Sequence, residues 1–344
     1  MPVLTALLVR KMSIAIALAM LMCSSFALLY RRFAVDRSIR FVSWAYMDSV
    51  MAIVGIDFKR RKSRAIRYIL KCLLHPRASL DWVNAAYESM AGRLIAKYPQ
   101  LLLKPHRHYI NKNFSFSQRA ELVLEHYAIS HDRFSESVFS GLVYGKRFGL
   151  ASLSGKPNTG NYLVTLERAN ELGREGELCM SLRSEATDQV VYRLAFLFGR
   201  YLDQSAIYIG CLLGPRDYEA KARIKSATRS LYGIRPVNLL MDVLYALASR
   251  LNIQTIQGVS SSARVCQGRA VKSDYDRFWK ELGGIPGEAG FFLLPNAPNH
   301  RKACDVSSHH RAEFRRRFEL RARLTSDVQQ WISNCEIKKP ELPF

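Results

Sequence analysis

Residues 232–238, Tyr-Gly-Ile-Arg-Pro-Val-Asn, open a helix with no Ser, Thr, Asp or Asn ahead of them to cap it. Proline suits a first helical turn, because its missing N–H would be an orphan there and its fixed φ matches the helix. Behind Pro236, the amides of Val237 and Asn238 stand at the positive end of the helix dipole. Gly233 lets the backbone approach a ligand closely, and Arg235, after Ile234, adds charge with bidentate reach. The preceding strand ends at Leu213 and Gly214, so the turn follows a strand end and starts a crossover helix. This combination describes an anion site of the kind that holds phosphate. A plain entry turn with a solvated arginine accounts for the same residues without a ligand.

Other reactive side chains are less ordered in sequence. Glu177, Asp203 and Glu281 sit near strand or helix ends, where any of them can act as a general base, and their spacing does not rank them. His300, Cys304, His309 and His310, with Cys266, lack the paired ligand spacing of zinc sites, so no metal is assigned. The chain has no G-x-S-x-G, Walker or dinucleotide fingerprint, which removes the usual support for serine hydrolase, P-loop and Rossmann chemistry.

The elements that must position these residues change character along the chain. From 41 to about 155 the pattern is helical and aromatic, with helices expected within 80–105 and over 115–134, the second capped by Ser117. From about 160 four strands follow one another, NYLVTLER, GELCMSLRS, QVVYRLAFLFGR and SAIYIGCLLGP, which predicts an antiparallel meander. A basic helical connection (216–232) leads to the helix that Pro236 begins, whose Leu239, Leu240, Val243, Leu244, Leu247 and Leu251 form one apolar face. Strand 253–259 follows and should lie parallel to strand 205–213. A short aromatic helix ending in paired glycines, a final strand AGFFLLP and a long basic helix from about 309 to 333 complete the order. In that last helix Phe314, Phe318 and Leu320 are the expected packing residues. We divide the chain into an N-terminal segment (1–40), a helical lobe (41–155), an α/β core with its C-terminal helix (156–335) and a tail (336–344).

The balance of 51 Lys+Arg against 29 Asp+Glu leaves a formal charge of +22, which attracts polyanions without choosing among them. Its densest patches are 104–113 and the C-terminal helix. The absence of RNP, helix-turn-helix and zinc-finger patterns speaks against nucleic acid and leaves anionic lipid head groups as a candidate partner. Residues 12–30 carry no charge and would span ~28 Å as a helix, close to a bilayer's hydrocarbon thickness. Arg31, Arg32, Arg37 and Arg40 follow the run, outnumbering Arg10 and Lys11 ahead of it. This predicts a single-pass inner-membrane anchor with a cytoplasmic core. A signal peptide cleaved at Ser25-Phe26-Ala27 and a start placed too far upstream are the alternatives. Seven unpaired-looking cysteines fit a reducing compartment.

Two resemblances follow from these motifs. The order of meander, phosphate-type helix start, parallel strand, short aromatic helix and last strand resembles the GNAT-like N-acyltransferase fold. The resemblance implies a mixed α/β sheet that binds acyl-CoA or another phosphopantetheine donor between strands 205–213 and 253–259, with Leu213, Gly214, Gly233, Ile234, Arg235, Val237 and Asn238 around its phosphates. The family's glycine-rich loop is replaced here by RSLYGIRP. Its acid-donating tyrosine aligns with Trp279, which cannot supply a proton, and leaves Tyr275, one turn earlier, as the candidate acid. The segments HYINKNFSFSQRAELVLEHY, EGELCMSLR, IGCLLGP, YGIRPVNLLMDVLYALA, YDRFWKELGG, FFLLP and RAEFRRRFEL are similar to the VirK/YbjX family of Gram-negative bacteria over roughly 100–320. That resemblance implies an envelope protein connected with virulence, surface-protein placement and antimicrobial-peptide resistance, and it supplies no catalytic residues. Two functions are therefore expected as rivals. One is an acyltransferase acting on an envelope component or a protein amine. The other is a non-catalytic basic protein that binds anionic lipid or an exported client.

Overall fold

The computed structural model describes residues 68–335 except 69, 73, 96, 266–273 and 301–310. Residues 12–30 therefore lie outside the described part. No helix among the described residues is long and apolar enough to cross a membrane.

The first described helices form the lobe: α1 (Pro76–Glu88), α2 (Gly92–Ile95), a 3-10 turn (Pro99–Leu103), α3 (Phe116–Arg133) and α4 (Glu136–Val143). Helix α3 starts two residues earlier than the Ser117 expectation. Ser115 accepts from the Gln118 N–H, and the Gln118 side chain accepts from the Ser115 N–H, a reciprocal capping box.

The sheet follows with β1 (Phe148–Ser154), β2 (Asn161–Arg168), β3 (Leu178–Ser184), β4 (Val190–Tyr201) and β5 (Gln204–Leu213), then α5 (Ala220–Ser230), α6 (Pro236–Arg250), β6 (Thr255–Val259), α7 (Tyr275–Glu281), β7 (Ile285–Pro286), β8 (Phe291–Leu294) and α8 (Arg311–Asn334). The eight strands lie in the order β1-β2-β3-β4-β5-β6-β8-β7. All neighbours are antiparallel except β5 and β6, which are parallel and joined through α5 and α6. This is the mixed α/β sheet expected from the meander and the crossover. Strand β1 falls inside the range assigned to the helical lobe, so the sheet begins before the boundary drawn at 155.

One continuous core runs from Tyr68 in the lobe to Ile332 in α8. Helix α6 buries Leu239, Leu240, Val243, Leu244 and Leu247, the apolar face its spacing predicted. Helix α8 inserts Leu320, Leu324, Val328 and Ile332, a stripe at every fourth residue, and packs against α6 and β1. Phe318, expected to pack, is instead 64% exposed.

Candidate functional site

At the start of α6 the chain is held differently from a phosphate cradle. Arg235 is the N-cap residue and Pro236 takes the first helical turn, as expected. Tyr232 and Gly233 both have positive φ, 54° and 80°. This turns the Gly233 N–H onto the Thr228 carbonyl (2.7 Å), and the Ile234 N–H bonds the Leu231 carbonyl (3.0 Å). The Asn238 N–H bonds the Arg235 carbonyl (2.9 Å). Of the two amides expected at the positive end of the helix, that of Asn238 is therefore already bonded within the chain, as are those of Gly233 and Ile234 before it. Ile234 is buried, Arg235 is ion-paired with Glu281 at 2.7 Å, and Arg317 of α8 donates to the Tyr232 carbonyl at 2.6 Å beside Gly233. The Arg235 contact holds the Glu281 carboxyl below the usual range, making it a counterion rather than a base.

A second feature lies at the parallel pair. Pairing between β5 and β6 stops at Ile209↔Gly258, because β6, which pairs with β8 along Ile256–Val259, ends one residue later, while β5 continues to Leu213. β5 therefore outruns β6 beyond Ile209, at the end where α6 begins. Tyr275 stands in this opening. Its hydroxyl accepts from the Leu212 N–H (2.8 Å) and lies 2.9 Å from the Leu212 carbonyl and 3.7 Å from the Cys211 sulfur. Burial pushes this phenol well above its ordinary pKa. Trp279 lies beneath and donates to the Val259 carbonyl at 2.8 Å, in space that any side chain at Gly258 would occupy. Leu213 is half-buried at the strand end and Gly214 follows it.

On the β4 side of the same opening, Gly210 is the extra residue of a bulge, since Phe196 pairs with Ile209 and Ala195 with Cys211. The loop between β2 and β3 crosses Gly210 so closely that a side chain there would overlap the Glu175 carbonyl. Glu175 is buried, and burial raises its carboxyl pKa against the opposing pull of Arg174. Sequence reading passed over Glu175 because its position over Gly210 comes from the path of the loop.

The strongest electrostatic feature among the described residues is Glu177, just before β3. Its carboxylate accepts from the Lys104 ammonium, from the Tyr109 hydroxyl and, at 2.8 Å, from the Tyr127 hydroxyl. Burial alone would push the Glu177 carboxyl up, but Lys104 and the neighbouring His126 bring it below its ordinary value. Burial lowers Lys104 to about 8, with Glu177 opposing. His126, lowered to about 4 by burial, accepts the Phe198 N–H at its Nδ1 (3.1 Å). A cavity of about 20 Å³ beside them, lined by His126, Tyr127, Ser130, Arg168 and Glu177, has room for one water. The expected basic surface patch at 104–113 is thus largely internal: Lys104, His106 and Tyr109 are buried. The network joins the lobe to the sheet and, being enclosed, is read as structural.

The remaining candidates separate. Asp203 sits in the two-residue β4–β5 turn with φ 62°, at the far end of β5 from the opening. His300 approaches the buried Asp242 at 3.1 Å, which Arg321 also holds at 2.9 Å. Cys266, Cys304, His309 and His310 lie outside the described residues, and no cluster of three metal-ligating side chains occurs among the described ones. An open concavity of about 580 Å³ between the ends of α6 and α8 has Arg250 as its one charged lining residue.

The motifs and the fold can now be set beside known proteins. A family model described as "Protein of unknown function (DUF535)" matches residues 57–330. The chain belongs to this family. Among DUF535 relatives, the uncharacterized protein YbjX of Escherichia coli K12 is 26% identical over 271 residues, which cover 76% of the chain and 82% of YbjX. This bears out the VirK/YbjX resemblance. An uncharacterized protein of Haemophilus influenzae Rd is 24% identical over 226 residues, 64% of the chain and 74% of that protein. Membrane protein LapB of Mannheimia haemolytica is 35% identical over 85 residues, 25% of the chain and 36% of LapB.

Proposed function

We propose that the chain is an envelope-associated acyltransferase that lays an acyl thioester donor along the open edge of β5. The observation that carries this reading is the stretch of β5 beyond Ile209, where β6 has ended and the Leu212 N–H and C=O are bonded to one side-chain hydroxyl in place of a strand. An extended amide-bearing chain such as phosphopantetheine offers the same donor and acceptor, as in strand addition. By taking over Leu212 it would release the Tyr275 hydroxyl.

The chemistry then follows from these residues. An acceptor amine attacks the thioester carbonyl carbon, a C–N bond forms and the C–S bond breaks. The proton that the amine loses passes to solvent, and Tyr275 gives its proton to the departing thiolate. Arg235 and Arg317 are the cations nearest the α6 start and would face the donor's phosphates, with Gly233, Val237 and Asn238 framing that turn. The envelope setting rests on the uncharged run at 12–30 and on the similarity of one segment to a protein named as a membrane protein.

The test is thermal unfolding of the detergent-solubilised chain with millimolar coenzyme A or acetyl-coenzyme A. Both should raise the melting temperature, and Arg235→Ala should shrink the rise. Tyr275→Phe should keep binding while losing acyl transfer. No rise with either ligand overturns the reading. The filling of the opening by Tyr275 and Trp279 favours a second reading, a non-catalytic protein that works through its basic surface, and that reading then stands alone.

A further inference from the structure

Helix α5 carries no apolar face outward. Lys221, Lys225 and Arg229 recur at every fourth residue and are exposed, so they form one stripe along the helix. Tyr218, three residues before Lys221, continues that stripe and is 94% exposed. At the other end, Tyr232 gathers further cations: Lys156 of the β1–β2 hairpin lies 5.5 Å and Arg316 of α8 6.0 Å from its ring centre. The acidic residues at this face already have cationic partners. Asp217 and Glu219 are paired with Arg223, which turns inward to the Val190 carbonyl, and Glu313 is paired with Arg317. The stripe cations thus meet no carboxylate among the described ion pairs.

We propose that this face docks on an anionic bilayer surface. A row of cations ending in a fully exposed tyrosine matches a lipid head-group layer, where Lys and Arg meet phosphates while the aromatic ring settles at the interface. A nucleic-acid reader needs side chains that enter a groove or a platform of rings that stack on successive bases, and this face carries only Tyr218 and the partly buried Tyr232, at opposite ends of the stripe. The uncharged run at 12–30 lies in the same chain and would bring such a face to the membrane. The inference does not rest on the acyl-donor reading, since none of its residues lines the β5 opening.

The full chain is floated with vesicles of phosphatidylcholine alone and of phosphatidylcholine mixed with phosphatidylglycerol. The ratio of the two affinities cancels any contribution of the apolar run. Phosphatidylglycerol should strengthen binding, and raising salt should remove the gain. Lys221→Gln, Lys225→Gln and Arg229→Gln together should lower the phosphatidylglycerol affinity roughly a hundredfold, each cation being worth about fivefold. Neutralising the exposed Lys97, Lys146 and Arg200 instead should change it little. Emission from Tyr218→Trp should be quenched by brominated acyl chains beyond the parent's own signal. Equal binding to both vesicle types, equal loss in the two triple variants, or salt-sensitive binding to DNA with none to vesicles overturns the proposal. Because all six positions are exposed, unchanged melting temperatures confirm that the variants fold.

Discussion

Glu177 places a carboxylate at 3% exposure and surrounds it with an ammonium and two phenols. Removing one partner of such a buried pair leaves a charge without compensation, typically at about 3–5 kcal/mol. Lys104→Met should therefore destabilise the chain by about 3 kcal/mol in urea unfolding, and adding Glu177→Leu should restore part of that loss. An unchanged midpoint for Lys104→Met would refute the account. The network was hidden in sequence because Lys104 and Tyr109 belong to a stretch rich in Lys, Arg and His, whose composition reads as solvated. Tertiary pairing with a residue 73 positions away decides its burial, and no local spacing encodes that. Arg235 at the N-cap of α6 and Tyr275 at the start of α7, by contrast, stand at the helix positions that sequence assigned them.

At the scale of elements, periodicity and turn chemistry carried most of the information. The strands β2 to β6, the apolar face of α6 and the basic α8 all stand where alternation or helical spacing puts them. Strand β1 escaped because Phe-Gly-Leu-Ala-Ser-Leu-Ser is poor in β-branched residues, and its pairing with β2 and cover by α8 hold it in the sheet. The α3 start was misread by two residues because Ser115 and Ser117 both qualify, and Gln118 at the third helical position selects Ser115. Ser115→Ala should cost about 1 kcal/mol, while Ser117→Ala should cost a few tenths at most, measured by thermal unfolding. Equal losses would show that the capping box contributes nothing. The sheet's free end is also managed locally: β7 is two residues long and contains Pro286, which cannot donate to an added strand.

Over the whole molecule, acid sensitivity follows from two buried histidines. His126 and His106 are each lowered to about 4 by burial, against about 6.5 for an unfolded histidine. Between those values the unfolded chain binds protons that the folded chain refuses, so stability is fully present above about pH 6.5 and falls as pH drops toward 4. Each histidine contributes on the order of 3 kcal/mol to that loss at its lower limit. Melting curves across this range should show the decline, and His126→Gln should flatten it; a flat parent profile would contradict the burial of both rings. The main core uniting lobe and sheet is the feature least visible in sequence, where a change of grammar near residue 155 looked like a boundary. The loop between β2 and β3 gives that union a mechanical meaning. Its Arg174 carbonyl takes the Ile110 N–H of the lobe, its Glu175 carbonyl rests on the β5 bulge, and it ends in Glu177. A methyl group added at Gly210 would push on this lever, so the cost of Gly210→Ala would reach the lobe as well as the sheet.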